Sequence, residues 1–263
     1  MNQRNRPERL LFVTSCYNEA GNVQELYRRC REVFTEIQAT LAGTEQLQFA
    51  MVFADNHSSD STLSELRAIA AADSCVQVLA NRSNYGPEAS FANALAQATP
   101  GDLIVGLASD LQDPPEIASA FIRELLMNTE LDAVLAIKQQ SNNHPLLSIF
   151  RRAYYLALGY SSRLRPVPNG FHGFGAYRAE VIEQLQRQGL LSPSQLLVYA
   201  NPGTKRAALW IGPQAMIKLS DQDIHQWLEE LEADLHQTHP DRALTLAVMS
   251  LAIALNSTES HQR

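Results

Sequence analysis

A recurring unit restricts the fold more than anything else in this sequence: a short apolar run, a polar cluster, then an amphipathic stretch, repeated along the first half of the chain. Apolar runs at 10–15, 47–53, 75–80 and 131–137, and the start of the stretch 103–116, have the length and continuity of strands buried on both faces. Between them lie helical patterns. Val23, Leu26, Tyr27, Cys30, Val33, Phe34, Ile37 and Leu41 recur at three- and four-residue steps, and Asn22 followed by Glu25 resembles a capping box. Further helices are expected over 62–71, 87–98 and 114–127. Such alternation predicts an α/β architecture, a Rossmann-like and mostly parallel sheet with helices on both faces.

Crossovers of the usual hand put every polar strand end on one edge, and in open sheets of this class that edge holds the ligand. The clusters at 17–19, 55–60, 83–86 and 110–113 are therefore expected to be neighbours. The stretch 103–116, Leu-Ile-Val-Gly-Leu-Ala-Ser-Asp-Leu-Gln-Asp-Pro-Pro-Glu, is the most pointed of them. It reads as a buried strand delivering Asp110, Gln112 and Asp113 to the edge, with Pro114 and Pro115 opening a helix. Taken alone, the same residues are also explained by Asp110 closing a turn and Asp113 capping that helix.

Beyond 137 the alternation stops. A polar loop at 138–144 leads to an expected helix at 146–164 carrying Arg151, Arg152 and Arg163. The segment 166–175 is too rich in Gly and Pro for regular structure, 176–187 returns to helix, and 190–219 shows no pattern. Ile224, Trp227, Leu228, Leu231 and Leu235 form an amphipathic stripe, and 244–255 is apolar nearly all round, so the two are expected to pair as a helical hairpin. The Trp227 stripe has two places to pack, the body of the domain or another subunit. These shifts divide the chain into a domain over 1–190 and a divergent, partly helical C-terminal region over 191–263.

Composition narrows the partners. With 28 acidic against 21 basic residues and a net charge of -7, the chain lacks the basic footprint of a nucleic-acid binder. Arg28, Arg29 and Arg31 read as a solvated helix face. Cys16, Cys30 and Cys75 form no CxxC pair, which suits a reducing compartment. The polar N-terminal residues lack the apolar core of a secretory signal, and the apolar run 243–255 falls short of the ~20 residues that span a bilayer. The expectation is a cytoplasmic protein, its apolar C-terminal helix suited to peripheral membrane association.

Carboxylates, carboxamides and hydroxyls gathered at a sheet edge suit a hard divalent cation, Mg²⁺ or Mn²⁺, holding a diphosphate. Such a cation neutralises the charge that grows on a departing phosphate. Asp110 is the first ligand candidate and Gln112 the second. No His/Cys set has zinc spacing, no GxxxxGK[ST] or GxGxxG follows the first strand, and no GxSxG elbow is present. Those absences weaken the ATPase, dinucleotide and serine-hydrolase readings.

Four motifs in order carry a family resemblance: 13–19 (Val-Thr-Ser-Cys-Tyr-Asn-Glu), 53–62 (Phe-Ala-Asp-Asn-His-Ser-Ser-Asp-Ser-Thr), 84–86 (Asn-Tyr-Gly) and 110–116 (Asp-Leu-Gln-Asp-Pro-Pro-Glu). Together they resemble the signatures of glycosyltransferase family 2, in the branch of the dolichyl- and polyprenyl-phosphate sugar synthases, over roughly residues 9–185. The resemblance implies a GT-A fold and transfer of a sugar, with inversion, from a nucleoside diphosphate sugar donor to an acceptor such as polyprenyl phosphate or a glycan hydroxyl. It implies that Ser15, Tyr17, Glu19 and Asn84 border the nucleotide sugar, that Asp55 hydrogen-bonds the base, and that Asp110 and Gln112 face the metal and diphosphate. Asn169 would lie in an acceptor loop, and Arg151 or Arg152 would meet an acceptor phosphate.

Three departures from the family pattern stand out. Ala108 takes the first position of the usual Asp-x-Asp. His172 stands near the place of a usual Gly-Asp-Phe, either as general base for an acceptor hydroxyl or as a loop histidine bonded to backbone. After residue 190, neither the second acceptor-side segment nor the paired membrane helices of many lipid-acceptor members can be found. Two readings follow, a metal-dependent glycosyltransferase and a non-catalytic nucleotide-sugar-binding module acting through a protein partner. A nucleotidyltransferase is more distant, since the Gly- and Lys-containing loop it would need after the first strand is missing.

Overall fold

The computed structural model describes residues 7–138, 173–187, 204–211 and 216–219. The chain divides into two compact units. The described part of the first comprises 7–135, 173–187 and 204–206, and that of the second 136–138, 207–211 and 216–219. The expected helices at 146–164, 224–235 and 244–255 lie outside the described residues.

The first unit is built on four parallel strands, β1 (Arg9–Cys16), β2 (Gln48–Asp55), β3 (Val76–Ala80) and β4 (Asp102–Gly106). Leu10, Leu11, Phe12 and Val13 of β1 are wholly buried, as a strand covered on both faces demands. At the other end of the strands from the polar clusters, Arg9 grips the buried Asp102 carboxylate through Nε (3.0 Å) and Nη2 (2.6 Å), tying β1 to β4. The helices are α1 (Asn22–Thr40), α2 (Thr62–Ala72), α3 (Pro87–Leu95), α4 (Ala118–Met127) and α5 (Glu180–Arg187).

Within this unit the strand order is β3-β2-β1-β4-β6-β5, with β6 at Gly175–Arg178 and β5 (Ala133–Lys138) counted by its residues 133–135. From β1 the chain steps to β2 and β3, then returns past β1 to β4. Right-handed crossovers then place α1 and α2 on one face and α3 on the other. The contacts agree: α1 packs on α2 and α4, whereas α3 packs on β1 and β2. The face of α1 turned inward is the expected one, with Val23, Leu26, Cys30, Val33, Phe34 and Ile37 buried.

Three local features differ from the sequence expectation. The helix expected over 176–187 begins only at Glu180, because Ala176, Tyr177 and Arg178 form β6, antiparallel to β4 and β5. Arg178 is buried there, and its guanidinium donates to the carbonyls of Leu125 (2.5 Å) and Leu131 (2.9 Å), supplying a partner to a carbonyl left open by the end of α4. The capping box at Asn22 does not form. Gly21, at φ 85°, precedes the helix, and Asn22 Nδ2 donates to Glu19 instead (2.8 Å). Finally, 190–219 is not patternless: β7 (Arg206–Ile211) and β8 (Met216–Leu219) pair as an antiparallel hairpin. Among the described residues no helix is long and apolar enough to cross a membrane.

Candidate active site

The polar strand ends meet as expected. Cys16 pairs with Asp55 and Asp55 with Ala80, so the loops after β1, β2 and β3 leave the sheet side by side, with the loop after β4 next to that of β1. Asp55 is 1% exposed. One of its carboxylate oxygens accepts the Ser58 N–H (3.3 Å), while Oδ1 is buried with no hydrogen-bond partner among the described residues. A buried acceptor left open costs roughly 1–3 kcal/mol.

Around Asp55 the loops after β1 and β2 lock together. The N–H groups of Asn18, Glu19, Ala20 and Gly21 donate in turn to Ser58 Oγ (3.0 Å), Thr62 Oγ1 (2.7 Å), Asp60 (3.1 Å) and Glu65 (2.9 Å). Asn18 returns the contact by accepting the Ser59 N–H at 2.9 Å. The Thr62 hydroxyl above all, helped by the N–H groups of Thr62 and Ala20, holds the Asp60 carboxyl below the usual carboxylate range against the opposing effect of burial. The three non-glycine residues with left-handed backbone among the described residues, Asn18, His57 and Leu111, all sit in these edge loops. Of the expected donor-side residues, Tyr17 is exposed, whereas Ser15 and Glu19 are half-buried. Ser15 receives the Ser109 hydroxyl on its carbonyl at 3.0 Å, and Glu19 accepts Asn22.

A carboxamide network at the end of β3 is absent from the sequence reading. Asn56, 3% exposed, donates to Asn84 Oδ1 (2.8 Å) and accepts both Asn81 Nδ2 (3.2 Å) and the Tyr85 N–H (2.9 Å). Asn84 Oδ1 also accepts the Gly86 N–H (2.9 Å). Asn81 continues to Ser90 Oγ (3.0 Å) on α3. The available signal is positional: Asn56 directly follows the buried end of β2, where polar groups must find partners.

Asp110 is exposed at the end of the β4 segment, and its Oδ1 accepts the Gln112 N–H (3.1 Å). Gln112 is exposed beside it, Asp113 is buried, and Ala108 is exposed. Past this loop Arg29 of α1 holds Glu116 with two bonds, Nε at 2.7 Å and Nη2 at 2.5 Å, which anchors the 3₁₀ turn Pro115–Ile117. Among the described residues no group of three or more His, Cys, Asp or Glu side chains converges as a metal site. A hard cation needs only one or two carboxylates when phosphate oxygens complete its shell. Asp110 with Gln112 therefore fits a Mg²⁺ or Mn²⁺ that arrives with a diphosphate, and does not fit one held by the protein alone. Asn169, His172, Arg151 and Arg152 lie outside the described residues.

A mixed α/β sheet whose acid-bearing strand ends share one edge is the arrangement of a GT-A fold. The chain superposes on the mannosyltransferase PcManGT of Pyrobaculum calidifontis, solved with GDP-Man and Mn²⁺, with a TM-score of 0.52. That match covers 97% of this chain and 77% of the other at 18% identity. The model of the glycosyl transferase family 2 matches residues 12–186, and the chain belongs to that family. It is 30% identical over 179 residues to an undecaprenyl-phosphate 4-deoxy-4-formamido-L-arabinose transferase of Pseudomonas paraeruginosa, covering 66% of this chain and 48% of that one. It is 37% identical over 113 residues to the protein of the same name from Sodalis glossinidius, covering 41% and 31%. The chain thus spans at most about half the length of these relatives.

Proposed function

We propose that this chain is a metal-dependent inverting glycosyltransferase that takes a sugar from a nucleoside diphosphate donor. The observation that carries the reading is the pairing, on one sheet edge, of a buried carboxylate with an open oxygen, Asp55, and an exposed one, Asp110. The first suits a ligand donor group such as a base N–H. The second suits the far end of the same molecule, where the charge is. Asp60, Asp110 and Glu19 make this edge acidic, so a bare diphosphate would be repelled and one carrying a cation accepted. Bound there by Asp110 and Gln112, Mg²⁺ or Mn²⁺ would supply charge neutralisation for the departing diphosphate.

In the proposed step an acceptor oxygen attacks the anomeric carbon from the face opposite the diphosphate. One C–O bond forms as the C–O bond to phosphate breaks, and the configuration inverts. A hydroxyl acceptor must lose a proton, a role that falls to His172 in this reading, whereas a phosphate acceptor needs no base. The named relatives support polyprenyl phosphate as acceptor, with Arg151 or Arg152 on its phosphate and Asn169 in the acceptor loop. A peripheral position at a membrane follows from such an acceptor.

The exposed Ala108, where the family has a carboxylate, favours a second reading, a nucleotide-sugar-binding module without turnover. Thermal-shift titration with UDP-, GDP- and dTDP-sugars, with and without Mn²⁺, followed by donor-turnover assays, separates the two. Metal-dependent turnover that Asp110→Ala abolishes establishes the enzyme. Binding with no turnover, indifferent to Asp110→Ala, establishes the module.

A further inference from the structure

We infer that Arg29 is a positioning residue: through Glu116 it fixes the loop that carries Asp110 and Gln112 against α1. This rests on the reading of that loop as the seat of a cation brought by a diphosphate. The loop between β4 and α4 is held at both ends. Upstream, the Leu107 N–H donates to the Val13 carbonyl (3.2 Å) and the buried Ser109 hydroxyl to the Ser15 carbonyl (3.0 Å), so the chain stays on β1 up to Asp110. It then turns through Leu111, whose φ of 60° is left-handed, a conformation that a leucine keeps only where its surroundings hold it. Downstream stand Pro114 and Pro115, which have no N–H to donate, and the Ile117 N–H closes back on the Pro114 carbonyl (3.1 Å). A side chain supplies a hold that these prolines cannot: Glu116 accepts Nε (2.7 Å) and Nη2 (2.5 Å) of Arg29, 87 residues away in sequence.

Arg29 is itself set by the other half of the edge. It lies about two turns into α1. That helix starts directly after 18–21, whose N–H groups donate to side chains of the segment 58–65. The same helix packs on the 3₁₀ turn and on α4. So α1 is a strut between the interlocked loops beside Asp55 and the loop that ends in Glu116. The pair is poorly placed to serve stability, since the Arg29 side chain is 22% exposed and that of Glu116 51%, and pairs so open to water contribute little. What two parallel bonds from a planar fork fix is direction. Direction matters most for a site with a single exposed carboxylate, because a displacement of about 1 Å at a reacting centre costs on the order of 100-fold in rate.

Calorimetric titration of the full chain with UDP and with GDP, each with Mn²⁺ and with EDTA, tests this in wild type, Arg29→Ala, Arg29→Lys and Glu116→Gln, with the thermal midpoint of each measured alongside. All three variants are expected to weaken binding in Mn²⁺ at least about tenfold, the scale of losing the outer support of a metal ligand, and to leave binding in EDTA unchanged. The signs separate positioning from bare charge. Loss of the Arg29 cation would by charge alone tighten Mn²⁺, and loss of the Glu116 anion would weaken it, whereas positioning weakens both. Tighter binding by Arg29→Ala therefore overturns the inference, as does Arg29→Lys binding like wild type, since lysine keeps the charge and loses the fork. A lower thermal midpoint with Mn²⁺-nucleotide binding unchanged also overturns it, assigns the pair to the fold alone and leaves the donor reading intact. An equal loss in Mn²⁺ and in EDTA overturns it as well, because the effect then lies away from the metal. If wild type binds neither nucleotide with Mn²⁺, the donor reading fails and takes this inference with it.

Discussion

At the scale of single residues, Asp55 and Asp110 differ in exposure on one edge, the first buried and the second exposed. Asp110 makes one bond to its own loop and otherwise faces outward, so changing it should not disturb the fold. Asp110→Asn is expected to leave the thermal midpoint within a degree or so of wild type while lowering metal-dependent donor turnover at least about 100-fold, the scale of losing one fixed stabiliser of developing charge. Ala108→Asp tests the same site from the other side. Ala108 is exposed two residues upstream, so a carboxylate there is accommodated without burial and offers a second hard ligand. The Mn²⁺ concentration for half-maximal turnover should fall several-fold in this variant, read by titrating Mn²⁺ at saturating donor. Both results bear on how far one carboxylate suffices to hold a cation that the diphosphate brings with it.

At the scale of elements, legibility followed the source of each element's stability. β1 to β4 and α1 could be read because continuous apolar runs and three-to-four spacing are local consequences of burial. β6 could not: its four residues, Gly175–Arg178, carry no apolar run, and they become a strand by pairing with β4 and β5, which tertiary contact alone dictates. The basic face of α1 reads from the sequence as solvated, and Arg28 is exposed as that reading expects, while each arginine also has a carboxylate partner. Arg28 pairs with Glu25 and Glu32, Arg29 with Glu116, and Arg31 with Asp73, where its guanidinium also lies 4.2 Å from the Phe49 ring centroid. Those partners are 42 to 87 residues away for Arg31 and Arg29, beyond any helical spacing. The strand-end clusters were legible for the same reason as the strands, but the Asn56 network was not, since carboxamides announce no partner in sequence. Asn56→Ala removes the acceptor of the Tyr85 N–H and the donor to Asn84, so it should destabilise the chain by about 2–4 kcal/mol in chemical denaturation, with much of the loss from groups left unpaired.

At the scale of the whole molecule, two global readouts follow from burial and charge. Cys16 and Cys30 are buried, and burial first of all pushes both thiols well above their ordinary range, whereas Cys75 is exposed and all three are free. Titration with a thiol reagent should therefore count one reactive thiol in the native protein and three in denaturant. The slow appearance of the other two then reports global opening. Acid stability is the second readout. The two-pronged bond from Arg29, against some opposing burial, holds the Glu116 carboxyl below its ordinary 4.5. For Asp73, burial acts upward but hydrogen bonds from Tyr27, the Cys75 N–H and Arg31 outweigh it, holding the carboxyl below 3.8. A carboxyl depressed on folding stabilises the folded state above its unfolded value, because there the unfolded chain binds more protons as pH falls, and that stabilisation is lost as pH drops through the folded value. Stability should accordingly hold from neutrality down to about pH 5 and then fall steadily below about pH 4.5, the range set by ordinary carboxylates. In Glu116→Gln and Asp73→Asn the slope of unfolding free energy against pH over that acid range should be shallower than in wild type. Because Glu116 is half exposed, its share is small and should shrink further in high salt. Asp73, only 11% exposed and held from three sides, should keep more of its effect as salt rises, so the salt dependence of the two variants separates the screened pair from the sheltered one.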